Sequence, residues 1–143
     1  MNIRTLEDIE RLEKLEELIL ELKNLSDAGA IIVVEGRKDV ESLRSLGING
    51  EVKLSSQQPL LDFTEKLSRS GKDIVLLTDW DRKGGMVARK ITDYLHAYSI
   101  IPNMDIRARI GFLVKKRIKD IESLSKYMGK LRTTTFLKVF LLL

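Results

Sequence analysis

The chain has no cysteine, a single histidine and no long uninterrupted apolar run, and each absence removes a class of chemistry. Without thiols there is no disulfide framework, no thiolate zinc site and no cysteine nucleophile. His96 alone gives little basis for a histidine-rich metal site or a histidine-based triad, and it reads as an ordinary helix residue. Carboxylates must therefore carry any acid, base or metal chemistry. No apolar stretch reaches the ~20 residues needed to span a bilayer, and the first residues lack the basic, apolar and small-residue order of a signal peptide. A cytoplasmic protein with no membrane partner is expected.

What is present is charge, unevenly spread along 143 residues, a length suited to one compact domain. Residues 1–80 hold 11 Lys and Arg against 16 Asp and Glu, whereas residues 81–143 hold 14 against 5. A basic half behind an acidic one suits a polyanion whose phosphates must be gathered, and suits equally a solvated surface.

From Thr5, read as an N-cap with acids behind it, Leu6, Ile9, Leu12, Leu15, Leu18, Leu22 and Leu25 recur at helical spacing. This amphipathic helix, residues 1–27, is expected to pack on the domain or to pair with a second copy. Beyond it strand and helix patterns alternate, as in βαβ units around a parallel sheet. Strands are predicted at residues 30–34, 51–54, 74–78 and 105–110. Helices are predicted at 38–46, at 59–69, after Gly84-Gly85 and at 113–127, the last with Lys115, Lys116, Arg117 and Lys119 on its wet face. The apolar tail, 129–143, is expected to pack on the domain or on a partner chain, giving a second route to a homodimer.

Both strongly apolar strands run into acids: Ile31-Ile32-Val33-Val34 into Glu35-Gly36, and Ile74-Val75-Leu76-Leu77-Thr78 into Asp79-Trp80-Asp81. Sites form at the carboxyl ends of parallel strands, so adjacent strands would gather Glu35, Asp79 and Asp81. Such acids repel unless a cation or proton lies among them. Magnesium, or manganese in its place, prefers oxygen ligands and takes one or two carboxylates plus phosphate. Asp79 and Asp81, two apart in extended chain, are the first candidate ligands, with Glu35 completing the shell or moving a proton. Gly36, Gly84 and Gly85 allow backbone to approach a phosphate, and Arg37, Lys38, Arg82, Lys83, Arg107 and Arg109 are candidate phosphate contacts. Trp80 is expected to pack against a neighbouring helix.

The two motifs, Ile31 to Val40 and Ile74 to Gly85, resemble those of the Toprim domain, shared by topoisomerases, bacterial-type primases, ribosomal-RNA maturation ribonucleases, overcoming-lysogenization-defect nucleases and recombination-repair proteins. The resemblance covers roughly residues 28–125 and sets the domain at 28–128. It implies a three-layer, Rossmann-like α/β fold with a mainly parallel sheet of about four strands flanked by helices. It also implies magnesium on Asp79 and Asp81, Glu35 as general acid or base, and nucleic acid, RNA or DNA, as partner. Lys83 stands where topoisomerases carry a further acid, and Tyr94, Tyr98 and Tyr127 read as helix residues, against strand passage. Primases are similar in Asp-x-Asp followed by Gly84 and Ala88 but add other domains. The ribosomal-RNA maturation ribonucleases begin with a similar domain, so a magnesium-dependent nuclease or RNA-processing factor is the leading expectation. A noncatalytic nucleic-acid-binding or scaffold module is the alternative.

Overall fold

The computed structural model describes residues 2–142. Its centre is a three-stranded parallel sheet of β1 (Ile31–Val34), β2 (Val52–Leu54) and β3 (Ile74–Leu76), in the order β2-β1-β3. Ile32 pairs with Val52 on one side and with Val75 on the other. Among the described residues six α-helices surround it: α1 (Ile3–Asp27), α2 (Arg37–Ser45), α3 (Leu60–Ser68), α4 (Arg82–His96), α5 (Asp105–Val114) and α6 (Leu124–Phe140).

β1 and β3 are apolar without interruption because both faces are covered, whereas the edge strand β2 exposes Lys53. Alternation along each strand splits the core in two. Ile32, Val34, Val75 and Leu77 join side chains of α1, α2, α5 and α6. Ile31, Val33, Ile74 and Leu76 point the other way, onto Phe63 and Leu67 of α3 and Ile91 and Leu95 of α4. Helix, sheet and helix thus form the three layers expected. None of the described helices is long and apolar enough to cross a membrane.

The fourth strand is reduced to a single bridge. Asn103 donates to Ile74 O at 2.8 Å and accepts from Leu76 N at 3.0 Å, pairing with Val75 in parallel sense, and the chain then turns into α5. The predicted strand at 105–110 is therefore a helix. Its Ile106, Ala108 and Ile110 do alternate, but Ile106, Ile110 and Val114 recur every fourth residue and are buried together with Gly111, while Ala108 is not. Asn103 Oδ1 accepts from the amides of Asp105 and Ile106 at 3.0 and 3.3 Å and starts the helix.

The predicted helix at 113–127 is likewise two helix ends joined by a turn. α5 stops at Val114, residues 115–123 form turns and bends, and α6 begins at Leu124. The basic run Lys115 to Lys119 lies on that turn, not on a helical face. α6 continues through most of the apolar tail and buries Leu124, Met128, Leu131 and Thr135. It packs on α1, with ion pairs Arg132–Glu16 and Lys138–Asp8 along the seam. Phe136 and Phe140 stack on each other with centroids 6.0 Å apart and remain on the surface.

α1 starts earlier than its pattern suggests. Asn2 is the N-cap, accepting from Thr5 N at 2.9 Å, and Thr5 itself is buried. Glu7 and Asp8 consequently fall beyond the first turn. Leu15, Leu18, Ile19 and Leu22 are buried in the core cluster shared with α5, α6 and one face of the sheet, whereas Leu6 is 49% exposed.

Two glycines give opposite expectations. A Cβ on Gly111 of α5 would lie 2.5 Å from Trp80 Cδ1, while one on Gly129 of α6 would meet nothing within 4 Å. Gly111→Ala is expected to destabilise the fold by ~1–3 kcal/mol through overpacking. Gly129→Ala should stabilise it by ~0.5–1 kcal/mol, because helical alanine loses less backbone entropy. Urea or thermal unfolding of the two variants reads the difference in sign; Gly111→Ala as stable as the parent would contradict the packing described.

Candidate metal centre

Because β1 and β3 are neighbours, their carboxyl ends deliver Glu35 and Asp79 side by side. Glu35 Oε2 accepts from the Asp79 amide at 3.1 Å. Asp79 Oδ1 accepts from Ile121 N at 3.1 Å, in the turn between α5 and α6. Burial pushes the Asp79 carboxyl up to about 7; the carboxyls of Glu35 and Asp39 act in the same direction, and the Ile121 amide opposes them. Asp39 also titrates above its usual range, again chiefly through burial, while accepting from Gly36 N at 3.0 Å at the start of α2.

Asp81 has a different local task. Its Oδ1 accepts from Gly84 N at 2.7 Å and caps α4, and the residue is exposed. α4 therefore begins at Arg82, before the glycines. Gly84 lies against the end of β3, where an added Cβ would fall 2.0 Å from Asp79 O, and Gly84 O accepts from Thr78 Oγ1 at 2.7 Å. Only glycine allows that contact.

The predicted basic residues separate into those at this edge and those elsewhere. Arg107 turns inward: Nε donates to Thr78 O at 2.9 Å and Nη2 to Asp79 O at 2.5 Å. Burial lowers its pKa, and the charges of Glu35, Asp79 and Asp81 oppose that shift. Arg82 and Lys83 are exposed on the first turn of α4, and Arg37 and Lys38 on that of α2, with Lys38 Nζ 3.8 Å from Glu122. Gly36 and Gly85 are half-buried at the two helix starts. Arg109 instead pairs with Asp105 and with Glu21 of α1, at 3.1 and 3.2 Å. Trp80 packs on Gly111 and donates Nε1–H to Arg107 O at 2.9 Å, as a residue facing away from the acids should. His96 is exposed in the last turn of α4.

Sequence reasoning missed Asp39, the Ile121 amide and a groove of about 530 Å³ beside α4, lined by Arg82, Gly85, Met86, Arg89, Met104 and Arg107. Asp39 was legible in principle, since an acid three residues after Gly36 suits the first turn of a helix. The Ile121 contact spans 42 residues and left no local signal.

The residues present suit a hard cation in one respect. Two carboxylates meet at a half-buried point where both cannot readily stay charged, which is the donor chemistry magnesium uses with water and phosphate. They do not form a closed cage: among the described residues no three His, Cys, Asp or Glu side chains gather closely enough to hold an ion.

A parallel α/β sheet with an acid pair at its carboxyl edge and basic residues around it defines a class that handles charged ligands at that edge. A family model described as the Toprim domain matches residues 30–113, from β1 nearly to the end of α5. A UPF0292 protein of Methanosarcina barkeri is 46% identical over 125 residues, 87% of each chain. One of Methanocaldococcus jannaschii is 40% identical over 122 residues, 85% of this chain and 94% of that one. A solved structure of a protein from Aquifex aeolicus aligns with TM-score 0.64 at 30% identity, covering 76% of this chain and 96% of its own. The chain belongs to the Toprim domain family. Membership associates it in general terms with divalent metal, typically magnesium, and with nucleic acid.

The raised Asp79 pKa has a signed consequence. Folded Asp79 binds its proton up to about pH 7, against 3.8 for the ordinary group. Its protonated form therefore favours the fold below that window, and the contribution is lost as pH rises through 7. Asp79→Asn keeps an acceptor for Ile121 N without the charge. In chelator, and after discounting for solvent screening, it is expected to exceed the parent by ~1 kcal/mol at pH 8, with the gap closing toward pH 4. Thermal melts across that range measure it, and a pH-independent difference would contradict it.

Proposed function

We propose that this chain is a magnesium-dependent enzyme acting on nucleic-acid phosphodiesters, a nuclease or RNA-processing factor. The observation that carries the reading is the Glu35–Asp79 carboxylate pair at the carboxyl edge of the sheet, with the Arg107 guanidinium fixed beside it. Asp79 and Asp81 would hold the metal, with Glu35 as a further ligand or as the proton-transfer group. Magnesium, or manganese as substitute, would supply charge neutralisation at the phosphate.

The chain's own groups have separable tasks. Glu35 has one carboxylate oxygen held by the Asp79 amide, which orients the other for proton exchange. Asp81 can use the oxygen that does not cap α4. Arg107 presents positive charge anchored by two backbone carbonyls, so little reorganisation is needed to meet a phosphate. The amides of Arg82 and Lys83 at the start of α4, and of Arg37 and Lys38 at the start of α2, would receive neighbouring phosphates together with those side chains; Gly36, Gly84 and Gly85, whose own amides bind Asp39 and Asp81, would leave the backbone open to them. Arg109, paired with Glu21 and Asp105, is the weakest member of that set.

A noncatalytic binding module is the second reading. It is favoured by the backbone bonds that occupy an oxygen of each acid, Asp79 N on Glu35, Ile121 N on Asp79 and Gly84 N on Asp81. Purified protein with RNA and DNA substrates in magnesium or manganese separates the two. Cleavage is expected, with Asp79→Asn and Glu35→Gln each lowering the rate by at least ~100-fold. Cleavage undiminished in both variants, or absent in both metals, sinks the enzymatic reading. Salt-sensitive binding that survives Glu35→Gln without cleavage supports the second.

A further inference from the structure

Apolar side chains on a small domain's surface are ordinary one at a time, but an exposed aromatic set among unpaired cations is not. Phe112, in the last turn of α5, is 72% exposed. Lys115 Nζ lies 5.0 Å from its ring centroid, and Lys116 and Arg117 follow on the exposed turn. A hollow of about 370 Å³ between this turn and α1 is lined by Phe112, Lys14, Lys115, Lys116 and Arg117. A second, of about 430 Å³, shares Phe112 and Lys14. Among the described residues Lys14, Lys115, Lys116 and Arg117 enter no ion pair. Their charge is available to a ligand.

We propose that Phe112 and the basic turn after it form a binding site for single-stranded nucleic acid, an unpaired base stacking on the ring and flanking phosphates meeting Lys115, Lys116 and Arg117. The proposal rests on the reading that the substrate is nucleic acid, and it names the form taken. A base-paired duplex offers phosphates to the cations but no free base face to the ring. An acidic peptide would use the cations and leave Phe112 idle. Glu7 and Glu10 of α1 also line the first hollow, beside Arg11 and Lys14, and would repel phosphates from that part of its wall.

The same turn is fastened to the acid edge. Lys119 O accepts from Trp80 N at 2.8 Å, and Ile121 N holds Asp79. A strand bound at Phe112 is thus held by the segment that also positions the carboxylate pair.

The test is fluorescence anisotropy in chelator, so that binding is read without cleavage. The probes are labelled oligo-dT and oligo-rU of about 12 nucleotides, and a duplex of equal length. At least one of the two single strands is expected to bind ~5-fold or more tightly than the duplex. Phe112→Ala should weaken that binding by ~5-fold or more and leave duplex binding unchanged, while Phe112→Trp retains it. Replacing Lys115, Lys116 and Arg117 with Gln should reduce the slope of log affinity against log salt by ~2. Phe112→Ala binding single strands like the parent with an unaltered melting curve, a duplex bound as tightly, or polyglutamate competing as well as the oligonucleotide would each overturn the proposal. Binding in chelator reports on the basic turn and Phe112, whereas cleavage in metal reports on the carboxylate pair. Cleavage with a neutral Phe112→Ala therefore sinks this site alone, and Phe112-dependent binding without cleavage sinks only the enzymatic reading.

Discussion

The pairing of β1 with β3 is the constraint on which the site depends. Once Ile31, Ile32 and Val33 are in register with Ile74, Val75 and Leu76, the next residues of both strands leave the sheet at one edge. Glu35 and Asp79 then have no freedom to avoid each other, and burial raises the cost of charging Asp79. The apolar core contributes the free energy that holds such a pair together. This is a fold whose hydrophobic ladder stores an electrostatic tension at one end.

That tension is fixed in place from several directions. The Asp79 amide is bound by Glu35 from β1, its carbonyl by Arg107 from α5, and its side chain by the Ile121 amide from the following turn. Gly84 of α4 packs directly on its backbone. Four chain segments therefore determine one residue, leaving little conformational entropy for a ligand to remove. Arg107 has a double part here, since it satisfies two backbone carbonyls and opposes the negative potential of the three acids.

β1, β3 and the acid pair were legible in the sequence because their signals are local: two apolar runs rich in β-branched residues, each leading into an acid. The region after Ile101 was not. Ile106, Ala108 and Ile110 satisfy both a two-residue and a four-residue period over so short a span, and only Val114 and the Asn103 cap decide for helix. At the next junction, helical spacing from Leu113 to Tyr127 persists across a turn, because residues 118, 121 and 124 face the core for tertiary reasons. The expected gathering of three acids became a pair with a capping neighbour. In Asp-x-Asp the second acid is also well placed to start a helix: Asp81 keeps an extended backbone but spends one carboxylate oxygen on the Gly84 amide as the cap of α4.

α1 and α6 lie outside the segment matched to the Toprim domain, yet they bear on the site. Together with α2 and α5 they cover the sheet face formed by Ile32, Val34, Val75 and Leu77. α6 does more than cover. Its Leu124, Met128 and Leu131 are buried against that layer, while α5 is tied to the same layer by Ile106, Ile110 and Val114. The turn at 115–123 is stretched between two anchored helices, and from that position it extends the Lys119 carbonyl to Trp80 and the Ile121 amide to Asp79. The terminal helices thus act on the carboxylate pair without touching it. Weakening their packing would slacken the turn, and with it the Ile121 amide that steadies the Asp79 carboxylate.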